Sequence, residues 1–294
     1  MSTLNNILSD PGLATYYGQK LIRSPGARST LGRLLAAFAP AAQPADGPVA
    51  ARALDDLQAS GFAPLPEKTL DATRLAAIHD HFSGCRLIDY HDGSRTYDAG
   101  QPVPAHCKRA VFDSRDTLAC MPLMALANDP DILRAVGQRL GCKPTLASAE
   151  AWWTFGENNP GGAPAADDIF HRDLDDLQFI KLFAYLTDVD RDNGAHCFIL
   201  GSHRSPLLTR RGAISDDDVA KAFRPEDAKV VTGAAGTAFL EDTWGIHRPL
   251  MARKGRRLIF SAIYTVKGRV PWAKRSPLPL PQGFDKYVNR RLYS

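Results

Sequence analysis

From Thr145 onward the chain is a succession of short apolar or alternating runs: EAWWTFG, QFIKLFAYLTDV, HCFILG, KVVTG, TAFLED and RLIFSAIYTV. Turn signals separate them. Runs of this length, rich in β-branched and aromatic residues, read as strands. Many short strands in succession bury their faces on one another in a sandwich, jelly roll or barrel. The first half differs. VAARALDDLQASGFAPL spaces Ala51, Leu54, Leu57 and Phe62 at helical intervals and should stop near Gly61. Asp71 suits the N-cap of a second helix reaching Phe82, and Met121 to Gly141 continues the helical pattern. The expected fold is mainly β with flanking helices. A helical layer over about 48–142 packs on an antiparallel double-stranded β-helix over about 143–268, followed by a C-terminal tail, 269–294. Residues 1–47 read as an arm or linker, with a helix-like stretch from Thr30 to Phe38 and an Ala/Pro/Gly-rich segment from Pro40 to Pro48.

A chain of 294 residues can hold one sizeable core, here a single domain over 48–294. A formal net charge of +4, with no groove-reading or base-stacking motif, gives no nucleic-acid footprint. The N-terminus lacks a basic segment followed by an apolar run, and nowhere is there a stretch of ~18 apolar residues to span a bilayer. The five cysteines, Cys85, Cys107, Cys120, Cys142 and Cys197, contain no Cys-x-x-Cys pair and read as reduced thiols. The expected setting is cytoplasmic, with no nucleic-acid or membrane partner; self-association into a homo-oligomer stays open.

Chemistry concentrates in four places. His171-Arg172-Asp173 follows a Gly/Pro/Ala-rich loop, Asn158 to Ala166, and opens a strand-like segment. Residues i and i+2 of a strand share a face, so one ion can touch both His171 and Asp173. Taken alone, the triplet reads rather as a polar strand start exposed to solvent. A distant histidine would complete the 2-His-1-carboxylate face that leaves positions open on Fe(II). His247 arrives at the end of GTAFLEDTWGIHRPL after a tight turn at Gly245. Between them a turn at Asp192-Asn193-Gly194 leads into a strand ending at Gly201-Ser202-His203, where His203 is a weaker ligand candidate at a turn. Finally, Arg256 and Arg257 open an apolar strand; a guanidinium pointing into a barrel needs an anionic partner, which a dicarboxylate supplies.

In order, these elements resemble the phytanoyl-CoA dioxygenase family of Fe(II)/2-oxoglutarate oxygenases, and ALDDLQASGFAPLP looks like that family's opening. The resemblance covers about residues 50–265. It implies a double-stranded β-helix, with His171, Asp173 and His247 as metal ligands and Fe(II) and 2-oxoglutarate as cofactor and co-substrate. One arginine would bind the distal carboxylate of 2-oxoglutarate. Arg256 and Arg257 point to opposite faces of a strand, so only one serves; Arg257 is favoured, with Arg253 and Arg248 as fallbacks. The sequence departs from the family where Arg248-Pro249 follows the distal histidine.

Other candidates are Lys108, as an anion ligand after a Pro-rich loop, and Phe183, beside the co-substrate or in the core. Trp152 or Trp153 could line a substrate cavity, while Asp175 and Asp176 read as polar strand or loop residues. His79 and His81 read as solvent-facing on a helix. The expected reaction oxidises a small organic molecule, with hydroxylation foremost, while 2-oxoglutarate and O2 become succinate and CO2. Asp173 fills the acid position, which disfavours halogenation. The alternatives are a β-helix protein that binds a ligand or metal without turnover, and a cupin-like metal isomerase or hydrolase.

Overall fold

The computed structural model describes residues 13–67, 69–161, 168–268, 270–273 and 275–294. Of the loop expected over Asn158 to Ala166, positions 162–166 lie outside the described residues. The chain opens with α1 (Leu13–Gln19), α2 (Pro25–Ala36), α3 (Pro48–Ser60), β1 (Phe62–Pro64) and α4 (Ala72–Ser83). Strands β2 (Arg86–Asp89), β3 (Thr96–Asp98) and β4 (Arg109–Phe112) precede α5 (Ser114–Ala119), α6 (Met121–Ala127) and α7 (Pro130–Leu140). Then come β5 (Thr145–Phe155), β6 (Phe179–Tyr185), β7 (His196–Ile199), α8 (Asp216–Ala222) and β8 (Ala228–Val231). The last elements are β9 (Ala238–Glu241), β10 (His247–Pro249), β11 (Arg256–Thr265) and α9 (Lys286–Asn289).

Local chemistry explains the helix ends. The α4 N-cap Asp71 accepts from the Arg74 amide at 2.8 Å. Gly61 ends α3 at φ 83°, a left-handed conformation that glycine adopts without strain. The helical stretch from Met121 to Gly141 divides in two, because Asp129 caps a new helix at Pro130, whose ring suits the first turn only.

Eight strands form one antiparallel sheet, ordered β1-β9-β6-β11-β5-β4-β2-β3, and three form a second, β10-β7-β8. The two faces of the large sheet divide the work by alternation. Leu258, Phe260, Ala262 and Tyr264 of β11, with Ile180, Leu182 and Ala184 of β6, join the helical layer in the main core. Ile259, Phe183, Tyr185 and Phe239 point the other way, into the space between the sheets. This is the double-stranded β-helix with flanking helices.

Both ends of the described chain pack onto the rest of the fold. Leu13 and Tyr16 of α1 bury against Phe179, Trp244 and Ile263 of the β-helix. Arg28 of α2 is buried, donates to the carbonyls of Gln19, Ile22 and Asp176, and lies 4.0 Å from the Trp244 ring centre. Phe179, Trp244 and Ile263 are apolar side chains that need cover, a demand invisible in the arm's own sequence. At the other terminus Val288, Leu292 and Tyr293 enter the main core, with the Tyr293 hydroxyl donating to the Leu118 carbonyl. No helix among the described residues is long and apolar enough to cross a membrane.

Candidate metal centre

His171 does not sit in a continuous strand. It forms an isolated antiparallel bridge with His247, each backbone N–H donating to the other's carbonyl at 3.0 Å. Two residues on, the Asp173 amide donates to the Thr243 carbonyl at 2.9 Å, which keeps the i, i+2 side chains on one face. The bridge extends the smaller sheet, in which His247 pairs with Phe198 of β7. Gly245 is needed for this return: a Cβ there would collide with the Phe198 ring.

The imidazoles are oriented by their own backbone. His171 Nδ1 lies 2.8 Å from the Ile169 carbonyl and His247 Nδ1 lies 3.0 Å from the Gly245 carbonyl. With Nδ1–H donating, each Nε2 keeps its lone pair. His171 Nε2 is 3.7 Å from Asp173 Oδ1, and His247 Nε2 is 3.3 Å from Asp173 Oδ2. One donor atom from each of the three residues lies within 4.8 Å of the others. A first-row divalent ion takes imidazole nitrogen and carboxylate oxygen at about 2.0–2.2 Å, so donors at these separations can share one ion. Two neutral imidazoles and one carboxylate on one face suit Fe(II).

Burial alone would raise the Asp173 carboxyl, but Lys181 and His247 outweigh it and hold the group well below the usual carboxylate range. The same charge raises His247 against the burial that opposes it. Lys181, on the inward face of β6, places Nζ 2.7 Å from Asp173 Oδ2 and 2.8 Å from Asp175 Oδ2. Asp175 and Asp176, expected as polar strand or loop residues, are both buried, and burial pushes Asp176 up to about 6. Arg172, between the two candidate ligands, turns to the opposite side. Its guanidinium donates to the carbonyls of Ser202, Leu207, Leu208 and Trp244. A buried glutamate, Glu241, pairs with His196 at 2.8 Å, and the His196 ring stacks on His247 with centres 5.5 Å apart. A sequence signal existed for Lys181, a lone charge at an inward position of an apolar strand, but none for the parity of Glu241.

The arginines separate cleanly. Arg257 is 2% exposed, donates to the Gly194 carbonyl and reaches Thr154 Oγ1 at 3.5 Å. Burial lowers its guanidinium to about 10. It lines a cavity of about 310 Å³ with Lys108, Arg109, Thr154, Asn159 and Asp168. Arg256 points outward, half exposed, and pairs with Glu157 at 2.8 Å. The fallbacks lie elsewhere: Arg248 pairs with Asp216 at 2.8 Å, and Arg253 is exposed. Phe183 stays on the inner wall against His196 and Phe239 rather than on the cavity's lining. Trp152 faces inward while Trp153 packs with the helical layer. His203 is buried under Gly61, outside the three-residue cluster. His79 is exposed as expected and His81 half-buried, and each ring also reaches a carbonyl, of Leu186 and Asp116 respectively.

The sequence profile of the phytanoyl-CoA dioxygenase (PhyH) family matches residues 57–249, well over half of the chain. No curated protein matches the sequence significantly. Among solved structures, EctD from S. alaskensis with bound Fe superposes with a TM-score of 0.55 at 18% identity, covering 86% of this chain and 90% of that one. The epimerase SnoN, in complex with Fe3+, alpha ketoglutarate and nogalamycin RO, gives 0.51 at 18% identity over 82% of this chain and 93% of that one. At these identities the likeness is one of fold. Together with the family profile and the facing His171, Asp173 and His247, it makes the chain a member of the phytanoyl-CoA dioxygenase family, the 2-oxoglutarate-dependent non-haem iron enzymes.

Proposed function

We propose that this enzyme hydroxylates a small organic molecule, R–H + 2-oxoglutarate + O2 giving R–OH + succinate + CO2. The observation that carries the reading is the backbone bridge between His171 and His247, which aims both Nε2 atoms at the Asp173 carboxylate. His171, Asp173 and His247 hold the metal. When bound, iron supplies the redox chemistry that couples decarboxylation of the co-substrate to oxidation of the substrate.

The remaining work belongs to the chain. Arg257, buried and facing the cavity, takes the distal carboxylate of 2-oxoglutarate through a two-pronged hydrogen bond. Lys108 adds positive charge on the same lining. Phe183, Tyr185, Phe239 and Ile259 keep the inner wall apolar and exclude water. All five cysteines are free, four of them buried, which supports a reducing, cytoplasmic setting.

Anaerobic addition of Fe(II) and 2-oxoglutarate to the wild type should produce a visible charge-transfer band. Asp173→Ala and His247→Ala should lose it. A wild type without the band would sink the reading. Transfer of label from 18O2 to product separates hydroxylation from stereochemical inversion, the activity named for SnoN. An isomer without label would replace the hydroxylase reading with epimerisation.

A further inference from the structure

We propose that Lys181 is a positioning residue that makes Asp173 give the metal a single oxygen, with Asp175 anchoring the ammonium group. The inference rests on the metal-centre reading above and adds to it a role for residues outside the ligand set.

Lys181 shares the inward face of β6 with Phe179 and Phe183, where a charge is costly without partners. Its side chain is 14% exposed, and both partners are carboxylates. One of these, Asp173, is also a candidate ligand. A face of three ligands leaves three positions open only if the carboxylate uses one oxygen; a carboxylate bound through both takes a fourth position. In this site both oxygens are within reach. Oδ1 lies 3.7 Å from His171 Nε2 and Oδ2 lies 3.3 Å from His247 Nε2. Lys181 donates to Oδ2 at 2.7 Å, which occupies that oxygen and leaves Oδ1 for the ion.

Asp175 supplies the second anchor, 2.8 Å from the same Nζ. Its segment is tied down from outside. Gln19 of α1 donates to the Leu174 carbonyl, and Arg28 of α2 donates to the Asp176 carbonyl. The N-terminal helices thus brace the loop that carries Asp173 and Asp175, and Lys181 clamps that loop from the sheet side.

The test uses Mn(II) as the probe, with and without 2-oxoglutarate, and reads the number of exchangeable metal-bound waters from water-proton relaxation. Lys181→Met should lose about one bound water relative to wild type, because Asp173 then binds through both oxygens. Lys181→Arg, which keeps the charge and donors, should restore the count, and Asp175→Asn should give a smaller loss in the same direction. A salt bridge serving only the fold would change the melting temperature and leave the water count alone. Equal counts in wild type and Lys181→Met, or an arginine variant that behaves like methionine, would overturn the proposal. If Lys181→Met does not fold, Lys181→Gln and Asp175→Asn decide by the same readout, unchanged counts in both overturning it. A wild type showing no metal-bound water at all would overturn the metal-centre reading together with this one.

Discussion

His171 and His247 are held in register by a pair of main-chain hydrogen bonds, each amide donating to the other's carbonyl at 3.0 Å. Their ring centres stand 4.5 Å apart, so the spacing of the two imidazoles follows from the backbone of two distant segments. Any change that shifts either backbone moves a candidate ligand without touching its side chain. That makes the register testable separately from the residues it aligns.

Gly245→Ala is the sharpest such change. The added Cβ would meet the Phe198 ring, so the turn before His247 must move. Binding of Fe(II) or Co(II), measured by anaerobic titration calorimetry, should weaken on the order of 10- to 100-fold with all three ligands intact. Wild-type affinity in a folded Gly245→Ala protein would mean that the bridge does not set the ligand spacing.

Arg257→Ala should raise the 2-oxoglutarate requirement by at least about 30-fold, the equivalent of roughly 2 kcal/mol for losing a buried charge-assisted contact. Arg256→Ala should change it little, since Arg256 faces solvent and Glu157. Co-substrate titrations of the charge-transfer band compare the two directly. The opposite ranking would reject Arg257 as the carboxylate site.

Arg172→Met should cost about 2–4 kcal/mol in chemical denaturation, because the carbonyls of Leu207, Leu208 and Trp244 lose their guanidinium donor and that of Ser202 keeps only the Ser205 amide. The loss should carry over to metal binding, since Arg172 lies between His171 and Asp173. A variant as stable as wild type would show that water replaces the guanidinium without penalty.

His203 predicts a pH effect with a definite sign. Burial lowers it to about 4, from an ordinary value of 6.5, and neither ring nitrogen has a partner among the described residues. The fold thus favours the neutral ring, while the unfolded chain takes up the proton first as pH falls. Its stabilising effect is complete above pH 6.5, declines as pH falls and is exhausted near pH 4, amounting to about 3 kcal/mol at most. Denaturation of wild type and His203→Gln at pH 7 and pH 4.5 should show a steeper acid loss in the wild type. Parallel losses would place the acid sensitivity elsewhere.

Much of the candidate site was legible because it depends on short-range geometry. His171 and Asp173 share a face through i, i+2 spacing, Gly245 marks a turn, and Asn193-Gly194 marks another. Gly194 takes φ 100°, and its carbonyl accepts from Arg257. Arg256 and Arg257 were separable only as opposites, since adjacent strand residues always diverge. Which of them faces inward depends on which side of β11 the helices cover. Lys181 and Glu241 posed the same problem: each lies in a run that reads as strand, but their partners come from segments 8 and 45 residues away.

The sequence by itself determined the β-helix, the order of its strands along the chain and the two residue types, histidine and aspartate, that face one another at 171, 173 and 247. Alternation and turn chemistry are local, and they survive in any fold the chain adopts. Only the tertiary structure decided that α1 and α2 pack on Phe179, Trp244 and Ile263 of the β-helix, that Lys181 engages Asp173 and that Arg257 lines the cavity. Those outcomes depend on which surfaces are left uncovered once the sheets have formed. Exposed apolar area on Phe179, Trp244 and Ile263 recruits the N-terminal helices, and buried charge at the centre accepts only oppositely charged neighbours.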